Sequence, residues 1–325
     1  MRRQIRLKLG DILKGESVNS VARRIGVHPA TLSRILEDDS AKWNRRVIET
    51  LCDEFSLGQA GIGEIFEFVK DQFWEPFVSA KEYVFIRGSE SDKSDTRRIE
   101  VRDQAAIATI TDYLRTTVAE CEAREGSPPK QSLIGFLREH NSIVVGSLIS
   151  NPYTELIVSA LFGAKPDSSG KKERDKIPFA FVFRPEQEIR QKSTLIEPFE
   201  RFKKSGIYLK QREIFVETDW WDRESFYSRQ IRRGHDAGFV LVVNKPFNSS
   251  HSVKLIVFGG FSGVGTKGMA EALIYHFRDL EPRPAAPYVL GIAQVIYKKT
   301  SGHEDNREVI DFHWKYLAGG RRTEP

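Results

Sequence analysis

Two stretches of this 325-residue chain carry residue types suited to holding an anion. The first runs Ile256-Val257-Phe258-Gly259-Gly260-Phe261-Ser262-Gly263-Val264-Gly265-Thr266-Lys267-Gly268-Met269. An apolar strand enters a glycine-rich loop and then a helix. Glycines let backbone N–H groups converge, and the helix start adds positive potential, so the chemistry would be phosphate or other anion binding. The spacing Gly263-x-Gly265-x-x-Gly268 fits a dinucleotide pattern. However, the loop lies late in the chain and lacks the Lys-Ser/Thr ending of a Walker loop. A structural tight turn accounts for the same residues. The second stretch runs from Val144 to Glu155. There Ser150 or Asn151 can cap a helix, Pro152 fits its first turn, and Thr154 and Glu155 lie in that turn. Such strand ends open onto the crevice where open α/β sheets bind ligands. Gly146, Ser147, Asn151, Thr154, Gly260, Ser262, Gly263, Gly265 and Thr266 are therefore the candidate contacts for a small anionic or nucleotide-like ligand.

His235-Asp236 precedes the apolar run Ala237–Val243, and a Ser-His-Asp set can be drawn from Ser147 or Ser262 with this pair. Hydrolase chemistry is not favoured. Adjacent residues rarely serve as the His and Asp of one triad, and no Gly-x-Ser-x-Gly elbow occurs. Trp220-Trp221-Asp222 with Arg229, Arg232 and Arg233 forms an aromatic-basic patch, for which packing plus a solvated helix face is the plainer reading. Cys52 and Cys121 have no Cys or His at ligand spacing. They read as buried thiols of a reducing compartment, with no metal and no cofactor expected.

The N-terminus carries a different pattern. Arg2, Arg3, Arg6, Lys8, Lys14, Arg23, Arg24 and Arg34 crowd the first 34 residues against only Asp11 and Glu16. Within Val18–Glu37, Ala22 supplies the small residue needed where two helices cross. Gly26, four positions on, tolerates the positive φ of a turn. Val21, Ile25, Val27, Leu32 and Ile35 fall where apolar residues hold the helices together, and Pro29 suits the first turn of the second helix.

This segment resembles the helix-turn-helix of the Cro/C1-type (XRE) family. Gly26–Leu36 is also similar to the recognition helix of LacI-type repressors. The resemblance implies a second helix entering the major groove of double-stranded DNA with its N-terminal part leading. His28, Ala30, Thr31, Ser33 and Arg34 would then face the DNA. Arg34 would read guanine bidentately or hold a phosphate, and Ala30 and Thr31 would offer methyl groups to thymine. Ser17, Asn19, Lys42, Asn44 and Arg45 would bind phosphates. His28 fits a helix-entry role equally well. The acidic Glu37, Asp38 and Asp39 bound the surface. The alternative is a helical hairpin serving protein contacts.

Several elements must position these residues. Arg3–Leu13, Val18–Ile25, Pro29–Leu36 and Trp43–Phe55 read as helices, and the aromatic stretch Glu64–Phe77 reads as a connecting helix. That last helix packs within the chain or on a partner subunit. Beyond residue 82, strands alternate with helices. Asp103–Glu125, Pro152–Phe162 and Thr266–Arg278 read as helices. Ser142–Ser147, Phe179–Phe183, Gly206–Leu209, Glu213–Glu217, Ala237–Val243 and Val253–Phe258 read as strands. Tyr288–Tyr297 and Val309–Tyr316 read as a closing hairpin. The expected architecture is a helix-turn-helix of four or five helices, then an α/β domain with a mostly parallel sheet and a C-terminal β-hairpin. The expected boundaries are 1–58 for DNA binding, 59–98 for a connecting helix and linker, and 99–320 for the α/β domain.

Hydrophobic residues at 40% and charged residues at 29% fit a globular protein rather than a disordered one. No apolar run reaches the ~18 residues of a membrane span, and no secretory leader follows the basic start. A net charge of +5 permits nucleic-acid binding without establishing it. The expectation is a cytoplasmic, homodimeric, DNA-binding transcriptional regulator whose α/β domain senses the small ligand. The alternatives are an enzyme of nucleotide metabolism or phage defence that carries a helix-turn-helix, and an adaptor that uses Glu64–Phe77.

Overall fold

The computed structural model describes residues 5–7, 16–29, 50, 54, 66–68, 73–80, 82–87, 96–117, 122–126, 131–147, 151–168, 170–185, 193–219, 232–282, 286–299 and 307–318. The chain divides into two compact units, Met1–Asp71 and Gln72–Pro325.

Unit 1 contains strand β1 (Ile5–Leu7), helix α1 (Val18–Arg24) and strand β2 (Phe66–Phe68). β1 and β2 pair antiparallel, with Ile5 opposite Phe68 and Leu7 opposite Phe66. Two expected helices are corrected here. Residues 5–7 lie in a strand rather than in a helix spanning Arg3–Leu13, and residues 66–68 lie in a strand rather than in a helix spanning Glu64–Phe77. Ile5-Arg6-Leu7 and Phe66-Glu67-Phe68 both alternate apolar with charged residues, which is the period-two signature of a strand. Each run is too short to declare itself alone, and its partner lies some sixty positions away. The helix expected over Pro29–Leu36 is described only at its first residue, which is helical. The one expected over Trp43–Phe55 is described only at Thr50 and Glu54, both helical.

Unit 2 is built on a seven-stranded sheet. Its strands are β3 (Glu82–Ile86), β4 (Glu122–Gly126), β5 (Ser142–Val145), β10 (Arg232–Asn244), β11 (Lys254–Gly260), β12 (Val289–Lys299) and β13 (Arg307–Ala318), in the order β13-β12-β10-β11-β5-β3-β4. The pairings β11/β5, β5/β3 and β3/β4 are parallel. The pairings β10/β11, β10/β12 and β12/β13 are antiparallel. The sheet is therefore mixed, not mostly parallel as expected. The apolar runs of β10 and β12 resemble parallel strands because they too are buried on both faces. A second sheet, in the order β7-β6-β8-β9, holds β6 (Phe179–Val182), β7 (Ile196–Glu197), β8 (Gly206–Leu209) and β9 (Ile214–Glu217).

The helices of unit 2 are α2 (Glu75–Ser79), α3 (Thr96–Thr117), α4 (Leu133–Glu139), α5 (Pro152–Leu161), α6 (Lys171–Arg174) and α7 (Gly263–Tyr275). Two cores cover the large sheet. In one, Ile107, Ile110 and Leu114 of α3 and Met269 and Leu273 of α7 pack on Phe85, Ile143, Val242 and Phe258. In the other, α5 and the four-stranded sheet pack Ile157, Val158, Phe179 and Phe181 against Val144, Phe239, Leu241 and Val257. The long helix expected over Asp103–Glu125 instead spans Thr96–Thr117, and the polar Glu122–Gly126 is an edge strand. Pairing with β3 overrides the weak strand propensity of that sequence.

Phe73, Trp74 and Phe77 are fully or almost fully buried in the second unit, with Phe73 and Trp74 edge to face at 4.8 Å. Their rings serve this chain's own core and present no adaptor surface. The closing hairpin of β12 and β13 forms as expected, with register shifts at two points. Among the described residues, no helix is long and apolar enough to cross a membrane, and no cluster of His, Cys, Asp or Glu fits a metal ion.

Candidate nucleic-acid interface and the strand-end crevice

In unit 1 the helix-turn-helix corner follows from a few residues. Ser17, extended at ψ 144, caps α1, and its Oγ accepts from Ser20 N at 3.2 Å. Val21 and Ala22 are fully buried. After Ile25 the chain turns through Gly26 at φ +70. Val27 N donates to Ala22 O at 2.9 Å and Gly26 N to Arg23 O at 3.3 Å, the paired bonds of a Schellman cap. An L-residue would strain at that φ, which is why glycine stands there. Pro29 then opens the next helix.

Ser17, Asn19 and His28 are exposed around this corner. Ala30, Thr31, Ser33, Arg34, Lys42, Asn44 and Arg45 lie outside the described residues. Sequence reasoning assigned no role to Arg24. Its guanidinium holds Glu16 bidentately at 2.7 and 3.0 Å and also pairs with Glu54, so it ties α1 within the unit. The hydrogen bond from Arg24 lowers the Glu16 carboxyl below the ordinary glutamate range. Opposite charges eight residues apart, with the second at a helix C-terminus, were the available signal.

In unit 2 the structure brings both expected loops together. β5 and β11 are parallel neighbours, and Gly146 N donates to Phe258 O at 3.0 Å. A Cβ on Gly259 would lie 2.7 Å from the Gly146 backbone. β3 and β5 are also adjacent. β3 leads to β4 through α3, which packs in one core, and β5 leads to the four-stranded sheet through α5, which packs in the other, and this makes a switch point. Asn151 fills it. Its Nδ2 donates to Ile86 O at 3.1 Å and Val145 O at 2.9 Å, and its Oδ1 accepts from Tyr153 N at 2.9 Å. Thr154 Oγ1 donates to Gly146 O at 2.8 Å, and Ser147 O accepts from Asn151 N. Asn151 and Thr154 are fully buried and Ser147 nearly so. Buried Glu155 accepts from the amides of Thr194 at 2.7 Å and Asp167 at 3.0 Å.

The glycine-rich loop is closed in the same manner. Ser262 caps α7, with Oγ accepting from Val264 N at 3.2 Å. The Asp236 carboxylate, fully buried within β10, completes the cap. Its Oδ2 accepts from Ser262 N at 3.1 Å, Ser262 Oγ at 2.5 Å and Gly265 N at 2.9 Å. Its Oδ1 accepts from Thr218 Oγ1 and Ala237 N, both at 2.8 Å. Burial pushes this carboxyl above the ordinary aspartate range, against the hydrogen bonds from Ser262, Thr218, Ala237 and Gly265. Thr266 Oγ1 accepts from Gly260 N at 3.0 Å. A Cβ on Gly260 would meet the Gly265 backbone at 2.3 Å. These glycines permit a close approach of strand and helix, and the anion that the helix start attracts is the chain's own carboxylate.

The imagined triad does not assemble. Ser262 bonds Asp236 directly, while the His235 ring faces Asp219 at 3.4 Å and Glu217 at 3.3 Å. A serine bonded to a carboxylate, without an intervening imidazole, lacks the base that would activate it. Arg232 and Arg233 lie at the start of β10, and residues 220–231 of the aromatic-basic patch lie outside the described residues.

Comparison with known proteins bears on unit 1. Residues 11–71 match the family model of the Cro/C1-type HTH DNA-binding domain, and the match ends where the compact unit ends. The N-terminal helix-turn-helix is of the Cro/C1 type, as its resemblance implied. No curated protein and no solved structure matches the chain.

Proposed function

We propose that this chain is a transcriptional regulator that binds double-stranded DNA site-specifically through unit 1. The observation that carries the reading is α1 and the glycine turn that ends it, from Ala22 through Gly26 to Pro29, within the segment that matches the Cro/C1-type domain. In this reading the second helix enters the major groove, and His28, Ala30, Thr31, Ser33 and Arg34 face base edges. Ser17, Asn19, Lys42, Asn44 and Arg45 hold phosphates and fix the register. The protein acts in the cytoplasm as a homodimer, on a two-fold operator with half-sites about 34–36 Å apart.

An anionic effector at Gly260–Thr266 would have to displace the Asp236 carboxylate, and one at the β3/β5 switch point would have to displace Asn151. The buried donors of both loops support a structural role instead. The test is fluorescence anisotropy of the full chain on the DNA upstream of its own gene, against scrambled DNA of equal length. Arg34→Ala is expected to weaken the specific complex by about 1–3 kcal/mol and the non-specific one far less. Equal losses would reduce Arg34 to a phosphate contact. No affinity for either DNA at low salt would overturn the reading.

A further inference from the structure

We propose that unit 2 binds a small aromatic carboxylate in the cleft between the C-terminal end of α5 and the turn joining β10 to β11. This goes beyond DNA binding and does not depend on it. The cleft encloses about 680 Å³, within the ~300–1,000 Å³ of small-molecule sites. Leu161 and Phe162 line it from the end of α5, Val243 from β10, Phe247 from the turn and Tyr288 from the approach to β12. Leu161, Phe162, Phe247 and Tyr288 pack on the core while staying only partly buried. Phe162 and Tyr288 stand edge to face with centroids 5.1 Å apart, an arrangement that leaves ring surface for a third aromatic group.

Polar groups of Asn244, Asn248 and Ser249 share the lining with these rings, and one charge stands among them. Among the described residues, Lys245 is the one charged side chain lining the cleft. It is exposed, and no carboxylate among the described residues pairs with its ammonium. One cation beside aromatic walls selects an apolar body carrying one negative charge. A polyphosphate would call for more cations or a row of converging amides, so a carboxylate is the matching anion.

The backbone gives an independent reason. Lys245, Phe247 and Asn248 adopt φ of 52°, 55° and 56°. Asparagine tolerates the left-handed region, but lysine and phenylalanine have no local compensation for it. Strained positions of this kind persist where surrounding bonds over-determine them, and they concentrate at ligand clamps. Here Lys245 N donates to Val253 O at 2.8 Å, Ser249 N to Pro246 O at 3.1 Å, and the Ser249 hydroxyl to Arg138 O. The turn is thereby pinned from both sides, and the strain keeps the Lys245 and Phe247 side chains at the cleft.

The experiment is isothermal titration of the full-length protein with phenylacetate and indole-3-acetate, against phenylacetamide and tryptamine. At least one acid is expected to bind saturably, with phenylacetamide and tryptamine about tenfold weaker or worse. Lys245→Met is expected to weaken the acid about tenfold while leaving the amide unchanged. Ala160 of α5 also lines the cleft, and Ala160→Trp, which fills it, is expected to abolish both. Lys245 is exposed, so its variant keeps the test decisive should Ala160→Trp misfold. Saturable binding by neither acid, equal affinity for acid and amide, or an unchanged Lys245→Met would each overturn the proposal.

Discussion

The helix that follows Ser17 and the helix that follows Ser262 begin with the same local chemistry. In each, a serine hydroxyl accepts from a first-turn amide at 3.2 Å. Ser17 is exposed, and α1 has no acidic residue in its first turn. Ser262 is almost buried, and Asp236 arrives from 26 residues upstream to neutralise the start of α7. A serine cap therefore does not distinguish a helix start that faces a ligand from one that locks a fold. The location of the countercharge does. In unit 2 that charge belongs to the chain itself, whereas in unit 1 the proposed partner is a DNA phosphate.

The contrast can be broken most forcefully at Asp236. Asp236→Ala would leave Ser262 N and Oγ, Gly265 N, Thr218 Oγ1 and Ala237 N without their acceptor. Removing one side of a buried charged network costs about 3–5 kcal/mol. Urea unfolding of the full chain should show that loss, with DNA affinity intact wherever the protein remains folded. A cost below about 1 kcal/mol, the size of an ordinary surface effect, would mean that the carboxylate does not close the loop.

Two glycines sharpen the comparison at the next level. Gly260→Ala drives a methyl group to 2.3 Å from the Gly265 backbone and is expected to cost about 1–3 kcal/mol or more. Gly26→Ala meets nothing within 4 Å, so only its φ of +70 opposes the change. The expected cost is about 1–2 kcal/mol, and Gly26→Asn should recover part of it. The readouts are unfolding of each unit and, for Gly26, DNA affinity. Similar recovery by asparagine at both sites would erase the distinction between a steric glycine and a conformational one.

The smallest effect concerns pH. Glu16 has its pKa depressed by Arg24, so the stability from this pair is present above the ordinary glutamate value of 4.5 and is lost as pH falls through the lowered value. Melting of unit 1 should weaken on acidification below that point, and Glu16→Gln should flatten the dependence. A flat wild-type profile would remove Arg24 as a tie.

Much of unit 1's corner was legible because its determinants are local: a small residue, a glycine four positions on, and a proline after it. The buried strands and the closing hairpin were legible for the same reason, through apolar runs and turn residues. The mixed sheet was not, because burial on both faces erases the alternation that marks antiparallel strands. The β1/β2 pair was missed because three-residue strands gain their identity only from a distant partner. The role of Asp236 was not legible. The sequence disfavoured a triad with His235 but named no other task for the carboxylate, while its position as a lone acid leading into the apolar Ala237–Val243 was the clue to a buried cap. The cleft at Lys245–Asn248 could not be read at all, since left-handed φ on lysine and phenylalanine leaves no compositional trace.

The most direct test of DNA binding by unit 1 is the salt dependence of affinity for the upstream DNA. Each phosphate contact contributes a slope of about −0.9 in log K against log salt. Wild-type affinity should fall steeply as salt rises, and Lys42→Ala with Arg45→Ala should make the slope shallower by about 2. An affinity that does not change with salt, or a double variant with the wild-type slope, would contradict the account.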